Sequence, residues 1–109
     1  MSEDIITENV VEFIPLLGFE NDYEILNNYP FTIRRKKGHY IVSEWLNSNG
    51  YPAVCIKKRT CQKHILIAKQ FIPNDDPEHK TEVDHINHNR TDYHIDNLRW
   101  VTKSDNQKK

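Results

Sequence analysis

Apolar residues in this chain come in short runs, and turn formers separate them. FIPLLGF at residues 13–19, YEIL at 23–26, FTIRR at 31–35, HYIVSEWL at 39–46, YPAVCIK at 51–57 and ILIAKQF at 65–71 all fall within 109 residues. Runs of this length bounded by Gly, Pro and Asn are the pattern of strands. Pro15 and Gly18 make the first run a docked irregular segment or a short strand. Turns are expected at residues 27–30, at Lys37-Gly38, at residues 47–50 and at residues 58–60. Asn49-Gly50 predicts a two-residue hairpin, because both residues tolerate positive φ. Residues 65–71 read as a short helix that Pro73 ends, and residues 75–80 as a loop. Strands are expected over residues 82–87 and 98–102, with a helix from Lys103 capped by Thr102 or Ser104. The fold class is therefore α+β: a strand-rich first part, then strand, loop, strand and helix.

A chain of this size makes one domain with a modest core. It has no run of about 18 apolar residues, so no membrane-spanning helix is expected. Its acidic start, MSEDIITENVVEF, is unlike the basic start of a secretory signal. Cys55 and Cys61 make neither a disulfide framework nor a CxxC pair. They read as small residues on neighbouring strands of an intracellular protein. The net charge of −1 conceals three blocks. Residues 1–33 hold seven acids and no Lys or Arg; residues 34–71 hold nine Lys or Arg and one acid. Residues 72–109 hold six basic and eight acidic residues. A basic block between acidic ones points to a polyanion, although charge runs are more often solvated turns.

Chemistry concentrates in VDHINHNRTDYHIDNLRWVT, residues 83–102. Asp84 and His85 are neighbours on an expected strand, so their side chains diverge and suit two different tasks. A carboxylate is a hard oxygen ligand for magnesium, and a neutral imidazole accepts protons near pH 7. Asn106, on the expected helix, can bring a second oxygen ligand, and Asn97 can brace a loop through its amide. Phosphodiester hydrolysis needs a base and a cation. His85, His88 and His94 could instead form a zinc cluster, but no cysteine lies nearby, and no structural zinc is expected.

Asp84-His85-Ile86, Asn89, Asn97-Leu98-Arg99-Trp100-Val101-Thr102 and Ser104-Asp105-Asn106 closely resemble the HNH endonucleases of the homing type. His64-Ile65-Leu66-Ile67-Ala68 and Phe71-Ile72-Pro73-Asn74 resemble the lead-in of these enzymes. Gly18-Phe19-Glu20, Tyr23-Glu24-Ile25 and Asn47-Ser48-Asn49-Gly50-Tyr51 resemble a small DNA-binding module often fused ahead of the nuclease motif. This chain departs from the family's habits at His88, where a small residue is common, and at Tyr93, where asparagine is.

The resemblance implies a ββα-metal motif that cleaves DNA. His85 would be the general base. Asn97 would brace the loop and help orient it, while Asp84 and Asn106 would hold one divalent ion, Mg2+ or Mn2+. Leu98 and Trp100 would be core residues. The expected division is an acidic tail at 1–12, a basic DNA-binding part at 13–72 and the nuclease motif at 73–109. Contacts to double-stranded DNA are expected from Arg34, Arg35, Lys36, Lys37, Lys57, Lys58, Arg59, Lys63 and Arg90. The implied protein is a monomer or weak homodimer, acts on DNA inside the cell and nicks one strand. The rival expectation is a catalytically inactive DNA-binding module that keeps the fold.

Overall fold

A computed structural model describes residues 10–106 of the protein. Most of the expected acidic tail, and any continuation of the last helix beyond Asn106, lie outside the described residues. The chain divides into two compact units, Met1–Ile41 and Val42–Lys109. The boundary expected between residues 72 and 73 is not where the packing divides. The strands that follow Val42 share their packing with the last third of the chain through a helix described below.

In the first unit, β1 (Phe13–Pro15), β2 (Tyr23–Leu26) and β3 (Ile33–Arg35) form an antiparallel sheet in that order. Strand β2 alternates as its sequence requires: Tyr23 and Ile25 are buried, while Glu24 and Leu26 are half-buried. Leu16, Phe31 and Ile33 complete this core. Glu24 lies opposite Arg34 across the sheet, and their side chains pair at 2.9 Å. The Arg34 guanidinium also sits 3.7 Å from the centre of the Phe13 ring. Asn27 ties down the residues ahead of β1, accepting from the Glu12 N–H at 3.0 Å and donating to the Val10 carbonyl at 2.9 Å. In the turn after β3, Gly38 has φ of 81°, and a Cβ there would meet the Tyr40 ring at 2.6 Å.

The second unit opens with β4 (Glu44–Leu46), β5 (Pro52–Ile56) and β6 (Arg59–Gln62), antiparallel in that order. The strand expected over residues 39–46 is thus reduced to β4 and an isolated bridge between Ile41 and Arg34. The Asn49-Gly50 turn is not a two-residue hairpin. Asn47 still pairs with Tyr51 through its backbone, leaving three residues in the loop with only Gly50 at positive φ. The cause is the Asn47 side chain, whose Oδ1 accepts from the N–H groups of Asn49 and Tyr51 at 2.9 and 3.0 Å. The two-residue turn falls instead at Lys57-Lys58, with both lysines at positive φ and Ile56 facing Arg59. Cys55 and Cys61 lie on neighbouring strands, as expected, and both are free thiols.

Helix α1 (Lys63–Phe71) starts two residues earlier than its apolar run suggests. Its buried face comprises Lys63, His64, Ile67 and Ala68, the spacing of one side of a helix. It packs against β5 and β6 on one hand and, on the other, against β7 (Glu82–His85) and β8 (Leu98–Val101). Strands β7 and β8 pair antiparallel, with Asp84 opposite Arg99 and His85 opposite Leu98. Leu98 is buried as expected, and the Trp100 indole N–H donates to the Ile72 carbonyl at 3.0 Å, fastening β8 to the end of α1. Helix α2 (Lys103–Asn106) follows, capped by Thr102, whose Oγ1 accepts from the Asp105 N–H at 3.0 Å. Among the described residues no helix is long and apolar enough to cross a membrane.

Candidate nuclease site

A cavity of about 370 Å³ opens beside the end of β7, and Asp84, His85, Arg90 and Asn106 all line it together with Tyr51, Val83 and His88. Strand β7 brings Asp84 and His85, the connecting loop brings His88 and Arg90, and α2 brings Asn106. Asp84 is 3% exposed, and its Oδ2 accepts from both Nε and Nη2 of Arg99, each at 3.0 Å. This cross-strand pair sets the direction of the carboxylate. Asn106 donates from Nδ2 to Glu82 Oε1 at 2.7 Å, which leaves its amide oxygen as the atom that can serve a cation.

His85 is 5% exposed. Burial lowers its pKa, Asp92 works against that shift and Arg90 adds to it. The ring leans on Tyr51 at 5.6 Å between centroids and on His64 at 4.6 Å. Among the described residues its Nε2 is buried without a hydrogen-bond partner. His64 is buried as well, and its pKa is pushed down to about 4, first by burial and then by His85.

Asn97 works on the loop and not on the imidazole. Its Nδ2 donates to Asn87 Oδ1 at 3.0 Å and to the Asp92 carbonyl at 2.9 Å. Its Oδ1 accepts from the Asn87 N–H at 2.9 Å, and its carbonyl accepts from Ile86 at 2.8 Å. The expected brace is therefore present, and it reaches His85 only through the adjoining backbone of Ile86. Asn87 and Asn89 serve the same loop, through Asp92 at 2.9 Å and through Thr91. The asparagines crowded into this stretch satisfy the backbone of a tight loop that contains His88 at φ 64°. A small residue is at ease in that conformation, which gives His88 a local cost. His94 is exposed and binds Asp92 at 2.7 Å.

The basic residues separate into groups. Arg90 donates to the Asn49 carbonyl at 2.7 Å and lies 5.2 Å from the centre of the Tyr51 ring, so the β4–β5 loop holds it at the cavity. Lys57, Lys58 and Arg59 are exposed at the β5–β6 tip. Arg35, Lys36 and Lys37 are exposed in the first unit, where Arg34 is engaged by Glu24. Lys63, expected to contact nucleic acid, is instead 2% exposed, with its ammonium on Glu44 Oε1 at 2.8 Å and 4.8 Å from the Tyr93 ring centre. Tyr93 donates its hydroxyl to the same carboxylate at 3.0 Å. Leaving such an ammonium unpaired would cost roughly 3–5 kcal/mol, so Glu44 fixes α1 and the Tyr93 loop to β4.

Sequence reasoning missed His64 and Glu82 as parts of this neighbourhood. His64 stands three and four residues before Ile67 and Ala68, and that helical spacing places it on the inward face. Glu82 stands two residues before Asp84 on one strand, hence on the same face.

Strand, braced loop, strand and short helix around a buried histidine define a ββα unit of the nuclease type. Residues 61–108 match the family described as HNH endonuclease. An uncharacterized HNH endonuclease of Acanthamoeba polyphaga mimivirus is 37% identical over 98 residues, covering 85% of this chain and 24% of that relative. The chain thus spans about a quarter of that protein's length. Among solved structures, the HNH homing endonuclease I-HmuI, described for DNA binding and cleavage, matches with a TM-score of 0.72 and 25% identity. That match covers 89% of this chain and 56% of the other. Residues 61–108 thus carry the HNH endonuclease match, and the relative and the solved structure that the chain resembles are both HNH endonucleases.

Proposed function

We propose that the chain is a metal-dependent DNA endonuclease that hydrolyses one phosphodiester bond per site and nicks as a monomer. The shared cavity carries this reading: a buried imidazole and a carboxylate from β7 and an amide from α2 open onto it together. His85 is the general base. Its lowered pKa keeps the ring neutral at pH 7, so it can take a proton from the attacking water. Asp84 and Asn106 are the oxygen donors for one divalent ion, Mg2+ or Mn2+. A carboxylate and an amide oxygen fit a hard cation that retains much of its water. When bound, that ion supplies charge stabilisation at the phosphate and the leaving oxygen. Arg90, held at the cavity by the Asn49 carbonyl, grips a phosphate beside the scissile one. Asn97 keeps the loop closed so that these groups keep their places.

Double-stranded DNA is the partner in this reading, inside the cell. Arg35, Lys36 and Lys37 of the first unit and Lys57, Lys58 and Arg59 of the second supply phosphate contacts. Nicking of supercoiled plasmid in Mg2+ tests the proposal. His85→Ala should lower the rate by at least about 100-fold while leaving DNA affinity intact. If wild type and variant both bind DNA and neither cuts in Mg2+ or Mn2+, the chain is an inactive DNA-binding module with an HNH fold.

A further inference from the structure

One buried titratable side chain has no task in that chemistry. His64, the second residue of α1, is 4% exposed and stacks on Tyr51 with centroids 5.0 Å apart and planes at 28°. Its other neighbour is His85, 4.6 Å away with planes at 54°. Among the described residues, Nδ1 of His64 and Nε2 of His85 are the buried side-chain nitrogens that lack a hydrogen-bond partner. The other buried polar groups of this unit are satisfied: Lys63 on Glu44, Asp84 on Arg99, Asn97 on its loop. Burying an unmet polar atom lowers stability, and a phenylalanine at position 64 would keep the stack on Tyr51 without that cost. Stability therefore does not account for an imidazole at this position.

The two unmet atoms complement each other. A neutral imidazole carries one N–H and one lone pair, so one ring can donate where the other accepts. We infer that His64 is a positioning residue for His85: its Nδ1 accepts the N–H of His85 Nε2 and so leaves the lone pair of His85 on Nδ1. The inference rests on the proposed role of His85 as base. No proton changes hands; the contact selects a tautomer, as the second partner of a working histidine commonly does. The rings already touch, and a turn about χ2 of either ring moves its nitrogens while keeping its place. Catalytic hydrogen bonds often tighten in this way only when substrate arrives. Asn97 cannot do this work, because its amide oxygen and Nδ2 are spent on Asn87 and the Asp92 carbonyl.

Nitrogen-detected NMR of the full chain, with nicking kinetics, tests this on His64→Phe and His64→Asn. Phenylalanine keeps the stack and removes the acceptor, whereas asparagine places an acceptor near the position of Nδ1. Wild type should show His85 protonated on Nε2. His64→Phe should retain the fold by thermal melting, lose that tautomer preference and lower kcat by about 10- to 100-fold at unchanged KM for DNA. His64→Asn should recover part of both. A folded His64→Phe protein with the wild-type tautomer and kcat overturns the inference. So does equal loss of kcat in both variants with the His85 tautomer unchanged. If wild type does not cut DNA, the proposed function fails, and the tautomer spectra alone decide the role of His64.

Discussion

A histidine buried without a partner leaves a trace in stability as well as in function. His64 has its pKa pushed down to about 4, whereas an unfolded chain holds a histidine near 6.5. Between these values the unfolded state binds more protons than the folded one. Stability is thus fully present above pH 6.5 and is lost as pH falls toward 4. The shift corresponds to about 3 kcal/mol across that window. Chemical denaturation at several pH values should show this decline in wild type and a much flatter profile in His64→Phe. Equal slopes would mean that position 64 is not the group responsible. At the residue scale the sequence and the structure can be compared directly. Asp84, His85 and Asn106 were singled out by chemistry and spacing, and all three line one cavity. The sequence showed His64 only as part of the resembling lead-in. Its helical spacing could place it on an inward face, but only the tertiary contact with His85 gives it a partner.

Element boundaries followed the sequence closely where the signal was local and failed where side chains competed with backbone. Strand β2 and helix α1 follow their periodicity, and α2 starts at the cap that Thr102 supplies. The Asn49-Gly50 turn went astray because Asn47 captured two backbone N–H groups and widened the loop. The tight turn formed at Lys57-Lys58, whose lysines sit at positive φ of 51° and 67°. Left-handed backbone costs a side-chain-bearing residue about 1–2 kcal/mol, so these lysines lower the stability of the turn. The double substitution Lys57→Asn with Lys58→Gly should therefore stabilise the protein by about 1–2 kcal/mol in a thermal or urea melt. The same variant should bind duplex DNA more weakly, with a shallower salt dependence, if this tip carries phosphate contacts. A stabilised variant with unchanged affinity would remove the tip from the interface.

For the whole molecule, net charge is a poor guide, since −1 averages a basic block of residues 34–71 against acidic flanks. Affinity for duplex DNA of unrelated sequence should fall steeply between about 50 and about 200 mM salt, with a log–log slope of roughly −0.9 per neutralised phosphate. A flat response in fluorescence anisotropy would exclude phosphate contacts as the source of binding. The basic block is not one structural body, because the division at residues 41 and 42 cuts through it and Lys63 is withdrawn into the second core. The sequence by itself determined the kinds and order of most elements and the α+β class, which depend on periods and spacings within a few residues. The base and ligand assignments came from its resemblance to a known family. Only the tertiary structure decided that β4–β6 belong with the nuclease motif, that Glu44 takes Lys63 and that His64 meets His85. Those outcomes arise when α1 buries one face against strands from two distant parts of the chain, and no local pattern encodes such contacts.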